Sequence, residues 1–244
     1  MTSAGNFRLR VRYRKGGRLA MLSHLELTHA LERIVRRSSL PFALSQGFSP
    51  HMKLSFGSAL PVGVGSTCEV FDITLTEYVP ANKALLALSE ASPYDLMCHE
   101  AFYVEPRAKA ASVAFPYSVY RVILKDYVDS VDVPASIEVV RKKKLKVLDV
   151  SDFLVGGIRI CPHSDDADAM QCLPAGETDT NQVCSPISSL IFQLKSGPEG
   201  NLRPDVLLKN IEADCEGGRQ SLNAVSITRI HQAEEPVNLD GFLK

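Results

Sequence analysis

No CxxC pair occurs among the six cysteines of this chain, and no apolar run approaches the length of a membrane span. The opening "MTSAGNFRLR" lacks the apolar stretch a signal peptide needs and runs straight into a charged, alternating pattern. A cytoplasmic protein without a membrane association is the expectation. GxSxG, HExxH, GxxxxGK[ST] and GxGxxG are also missing. The common nucleophile elbow, zinc-protease helix and nucleotide loops are therefore not represented, and nothing provides for an iron–sulfur cluster. No cofactor and no catalytic constellation is expected. Cys161, Cys172 and Cys184 stand near His163, but their wide spacing is not that of metal ligands. That stretch reads as a polar surface loop, with no metal. Cys68 and Cys98 fall in apolar strand-like runs and read as buried thiols.

Acidic residues are scarce at one end. Residues 1–60 hold ten Lys and Arg against only Glu26 and Glu32, while the whole 244-residue chain has a formal net charge of −1. Basic charge gathered into one quarter of a neutral protein is a local binding footprint. Hydrophobic residues at 45% and charged residues at 23% are otherwise those of an ordinary globular protein.

"FRLRVRYR" alternates strictly, with Phe7, Leu9, Val11 and Tyr13 on one face and Arg8, Arg10, Arg12 and Arg14 on the other. "LSHLELTHALERIVRRSSL" follows as a helix. Ser23 and Glu26 form a capping box, and Leu27, Ala30, Leu31, Ile34 and Val35 make the apolar stripe. His29, Arg33, Arg36 and Arg37 fall on the other side. "KLSFGSAL" and "CEVFDITLTEY" read as strands, "ANKALLALSEASP" as a helix and "DLMCHEAFYVE" as a strand. The order is β-α-β-β-α-β.

A second round follows. "YSVYRVIL" reads as a strand, "PASIEVVRKK" as a helix, "KLKVLDVS" and "FLVGGIRI" as strands. "ISSLIFQLKS" is then a strand, "RPDVLLKNIEA" a helix and "AVSITRIHQA" a strand. The expectation is an α+β chain of tandem ferredoxin-like (βαββαβ) halves, residues 7–106 and 117–232. A polar insertion spans 161–185 and a loose tail 233–244.

Four arginines on the open face of a central strand suit phosphate binding. Asp72, on the neighbouring strand, is the competing partner. "SQGFSPHMK" is too long for a tight connection, and Gly47 with Pro50 gives it a fixed irregular path. Gln46, His51 and Lys53 in it are candidate ligand contacts. The expected nucleic-acid-binding set is Arg8, Arg10, Arg12, Arg14, Arg33, Arg36, Arg37, Gln46, His51 and Lys53. Alternatively His24, in the first helical turn, or His51 serves as the base of a metal-independent endoribonuclease. A third reading is a protein–protein adaptor whose basic face docks an acidic partner. "RKKKLK" (Arg141 to Lys146) reads as a solvated helix end.

The segment "GRLAMLSHLELTHALERIVRRSSLPFALSQGFSPHMKLSFGSALPVGV" resembles the signature region of the radical-SAM-linked domain family. That family is a bacterial domain of unknown function, fused to the C-terminus of radical SAM proteins or encoded beside them. The likeness runs from Phe7 to His231 and is most specific in Gly17 to Leu25, "SQGFSPH" and "KLSFG". "NLRPDVLL" (Asn201 to Leu208) resembles a second family motif. Met52 stands where the family has proline, and the Cys161–Cys184 insertion is longer than the family's. The resemblance implies a radical SAM enzyme as partner and a link to RNA, tRNA or rRNA. It carries over no catalytic residue. A more distant likeness, to repeat-associated RNA-processing proteins, lacks their late glycine-rich loop.

Overall fold

The computed structural model describes residues 7–105, 107–141, 144–162, 188–197, 200–215 and 218–243. It divides into two compact units between Phe115 and Pro116, inside the stretch expected to join the halves. Both are mixtures of sheet and helix, so the chain is α+β.

In the first unit the alternating segment forms β1 (Phe7–Lys15). A 3-10 turn (Gly17–Met21) leads to helix α1 (His24–Arg37), then β2 (Leu54–Phe56) and β3 (Gly65–Leu75). Helix α2 (Ala81–Ala91), a turn at Tyr94–Leu96, β4 (Cys98–Tyr103) and the single-turn α3 (Ala111–Ala114) complete it. The sheet runs β4–β1–β3–β2 with every neighbour antiparallel. Leu9, Val11 and Tyr13 point into a core shared with Phe71, Ile73 and Leu75 of β3. Leu27, Leu31, Ile34 and Val35 of α1 and Ala84 and Leu88 of α2 close that core from the helical side. The arginines of β1 consequently occupy the face away from α1 and α2.

The start of α1 is built as the sequence predicts. Glu26 N–H donates to Ser23 Oγ, and the Glu26 carboxylate accepts from the Ser23 backbone N–H at 2.9 Å and from its hydroxyl at 2.7 Å. The Ser23 hydroxyl and backbone N–H hold the Glu26 carboxyl below its ordinary value of 4.5. The folded state thus binds the Glu26 proton less readily than the unfolded one. The cap's contribution is full above pH 4.5 and fades as pH falls through the lower folded value. We expect Ser23→Ala to lower the melting temperature at pH 6 and to narrow its difference from wild type at pH 3. An equal loss at both pH values contradicts the ionised box.

The second unit contains β5 (Tyr117–Leu124), β6 (Ser130–Asp132), β7 (Ser136–Arg141), β8 (Lys144–Asp149) and β9 (Leu154–Pro162). After these come β10 (Ser188–Gly197), β11 (Gly200–Asn201), helix α4 (Pro204–Lys209), β12 (Glu212–Cys215), β13 (Gly218–Ser221) and β14 (Ala224–Ala233). Its main sheet runs β9–β10–β5–β14, all antiparallel, with β11 paired to the end of β10. β13–β12–β6 and β7–β8 form separate small sheets.

Two expectations fail here. "PASIEVVRKK" is no helix but supplies strand β7, paired with β8 from Ser136↔Asp149 to Arg141↔Lys144. Ile137, Val139 and Val140 are β-branched and lose side-chain freedom in a helix. Burying Ile137 against the exposed Glu138 fits period two better than a helical stripe. The tail is also not loose. Gln193 of β10 clamps Val237, its amide donating to the carbonyl and its oxygen accepting from the N–H, while Leu239 is buried with Val119 and Ile191. Among the described residues no helix is long and apolar enough to cross a membrane.

Candidate nucleic-acid interface

The arginine row of β1 does not face open solvent as expected. Register places Asp72 directly opposite Arg10 and one step from Arg8. Arg8 Nε and Nη2 donate to Asp72 Oδ2 at 2.8 and 2.6 Å, while Arg10 Nε donates to Oδ1 at 2.8 Å and Nη2 to Oδ2 at 3.1 Å. The chain preceding α3 supplies further acceptors. Ala108 O takes Arg8 Nη1 and Lys109 O takes both Arg8 Nη2 and Arg10 Nη2. Arg10 is 5% exposed and Asp72 3%.

Farther along β1, Glu100 on β4 lies opposite Arg12, its Oε2 3.2 Å from Nε without hydrogen-bond alignment. Phe115 lies 5.5 and 5.4 Å from the Arg10 and Arg12 guanidiniums, and Tyr94 lies 4.4 Å from that of Arg14. One aspartate does suffice for two arginines, because main-chain carbonyls and an aromatic ring take the remaining N–H groups and charge. Those partners come from 94–115, a stretch in which nothing in the sequence marks an arginine site.

Within the expected set, the exposed cations are on α1. Arg33, Arg36, Arg37 and His29 all reach solvent, and no ion pair to Arg33 or Arg36 occurs among the described residues. A 3.6-residue turn puts His29, Arg33 and Arg37 in one row with steps of about 6 Å. This row borders a groove of about 380 Å³ whose apolar wall is Leu19, Leu22, Ala30 and Leu96. Arg37 donates from Nη2 to Ala91 O, which anchors the row's end beside a more polar cleft of about 510 Å³ formed with Glu90 and Ser92. The sequence identified the cations but not the groove, since its opposite wall, Pro93 and Leu96, comes from a distant segment.

The segment after α1 is a shaped loop. A bridge between Leu44 and Met52 closes its base, and Met52 is buried. Within it Ser45 N–H donates to His51 O at 2.8 Å, His51 N–H donates to Ser45 Oγ at 3.0 Å, and His51 Nδ1 lies 3.0 Å from that hydroxyl and 3.3 Å from Ser49 O. Gly47 takes φ 137°, a backbone that suits only glycine. Gln46, Phe48 and His51 are exposed, and Lys53 is half-buried. His24, the other candidate base, packs edge-on against Phe56 at 5.4 Å. No contact among the described residues brings His24 and His51 together.

Burial pushes the Cys98 thiol up to about 11, with the Ser92 hydroxyl opposing the shift. Cys68, Cys98 and Cys161 are free thiols, and no metal-binding cluster occurs among the described residues. His163, Cys172 and Cys184 lie outside them.

Residues 8–155, more than half of the chain, match the model of a family described as uncharacterized protein conserved in bacteria (DUF2344). The match takes in the arginine row, α1 and the shaped loop. No curated protein matches the chain.

Proposed function

We propose, for a chain that belongs to the DUF2344 family of uncharacterized proteins conserved in bacteria, a non-catalytic role in binding and presenting RNA. The observation carrying this is the row His29, Arg33 and Arg37, with Arg36 beside it, exposed along α1 next to an apolar groove. Cations at a regular step suit a phosphate backbone, and the neighbouring trough suits the less polar faces of bases. The interface thus rests on Arg33, Arg36, Arg37 and the Gln46–Lys53 loop, while Arg8 and Arg10 hold the fold.

The partner is read from the likeness of Gly17 to Leu25, "SQGFSPH" and "KLSFG" to the radical-SAM-linked domains. On this reading the protein is a cytoplasmic accessory that delivers a tRNA or rRNA segment to a radical SAM enzyme. The role is held to binding because His24 and His51 are engaged separately, one by Phe56 and the other by Ser45 and Ser49. The architecture reads as a tandem pair of ferredoxin-like halves. In support, each main sheet places its unit's first strand between the last and the third. In chain order the β7–β8 hairpin of the second unit follows its first strand, as α1 does in the first.

Titrating fluorescently labelled RNA against the full chain tests the site. Binding weakens with salt, and replacing Arg33, Arg36 and Arg37 together by Gln lowers the log–log salt slope by about 2, at about 0.7 per lost phosphate contact on a single strand. Absence of binding at low salt, or an unchanged slope in the variant, rejects the reading.

A further inference from the structure

Phe48 has no evident structural task. Its side chain is wholly exposed, at 109% of the reference area. Burying a phenylalanine stabilises a fold by about 1.5–3 kcal/mol, and this position forgoes all of it. Loop tips ordinarily carry Gly, Asn, Asp or Ser, so an aromatic ring here is not explained by turn chemistry. Nor is the loop slack, since the Leu44–Met52 bridge and the paired Ser45–His51 contacts pin both its ends. Gly47, at φ 137°, sets the backbone immediately before the ring.

We infer that Phe48 is a stacking platform for an unpaired RNA base, which makes single-stranded or looped RNA, not duplex, the ligand class of this protein. The inference rests on the RNA-binding reading above. Its neighbours decide the chemistry. Gln46 and His51, both exposed, offer an amide and an imidazole to a base edge, and Lys53 brings a cation. Gly47, Ser49 and Pro50, the residues flanking the ring in the chain, carry no long aliphatic side chain of the kind that shields a protein–protein anchor from water. Bases inside a duplex are already stacked and present no free face. A ring on an isolated loop gains a partner only from a base that has left its stack.

The test compares wild type, Phe48→Ala, Phe48→Leu and Phe48→Tyr in binding a labelled single strand of about 12 nucleotides and a blunt duplex of the same sequence. Thermal melting serves as the control that the exposed substitutions leave the fold intact. The single strand is bound more tightly than the duplex. Phe48→Ala and Phe48→Leu both weaken it by about 5- to 150-fold, the range of one stacked base, and Phe48→Tyr retains wild-type binding. Leu keeps apolar bulk without a π face, so wild-type affinity in Phe48→Leu overturns stacking. Unchanged affinity in Phe48→Ala, or equal binding of duplex and single strand, also overturns the inference. If the Arg33, Arg36 and Arg37 substitutions still weaken binding in those cases, the RNA reading survives without it. Absence of any RNA binding by wild type overturns both.

Discussion

Asp72→Ala costs the first unit about 3–5 kcal/mol of stability, the range for breaking a buried ion pair from one side. The substitution leaves Arg8 and Arg10 aimed at the same empty place, and Arg10 is almost fully enclosed. Their N–H groups to Lys109 and Ala108 remain satisfied, but two cations then face each other with no anion between them. Domains of this size are stable by about 5–15 kcal/mol in total, so the loss moves the urea midpoint severalfold further than any surface change. Glu100→Ala is the internal comparison. Glu100 is 53% exposed, and its pair with Arg12 is expected to contribute about 0–1 kcal/mol. A double substitution, Asp72→Ala with Arg10→Leu, recovers part of the loss, because the most deeply buried uncompensated charge is gone. Equal midpoints for Asp72→Ala and Glu100→Ala would sink the view that β1's arginines are structural.

Gly17→Ala is the second large effect. Gly17 has φ 49°, left-handed backbone that costs other residues about 1–2 kcal/mol. An added Cβ also runs into the Asp95 carboxylate. The Asp95 backbone is held, its carbonyl accepting Gly16 N–H at 2.9 Å, so the carboxylate clears the added atom only by turning its side chain to another rotamer. Strain and the displaced side chain together are expected to cost about 1–3 kcal/mol. The turn carries Leu19 into the α1 groove and the partner segment carries Leu96, so RNA affinity falls along with the melting temperature. Gly17→Ala in an Asp95→Ala background separates the two causes, because only backbone strain then remains. If it melts as far below its Asp95→Ala parent as Gly17→Ala melts below wild type, the Asp95 contact carries no weight.

The first unit was legible because its signals are local. β1's alternation, the Ser23–Glu26 box and the α1 stripe each occupy a short window, and each was read with the correct element. Long-range complementarity was legible only in part. Alternation named Asp72 as the partner, and Arg8 and Arg10 do meet it, but their other acceptors lie about a hundred positions away on backbone carbonyls, which carry no residue-type signature. A row of cations read as an open surface was therefore enclosed in part. In the second unit "PASIEVVRKK" offered both a run of long polar residues and β-branched alternation. Pairing with β8, invisible in one window, decided for strand. Phe48 went unremarked among the candidate contacts because nothing in a sequence says whether an aromatic ring points in or out.

The β7–β8 ribbon carries one last consequence. Among the described residues it pairs with no third strand, and Val140, Leu145 and Val147 are exposed along it. Such a ribbon is a template on which further copies of the chain can polymerise edge to edge. Lys144 and Lys146, both exposed on β8, set like charge against an incoming copy before it can register. These lysines are expected to act against self-association, and raising ionic strength to weaken that protection.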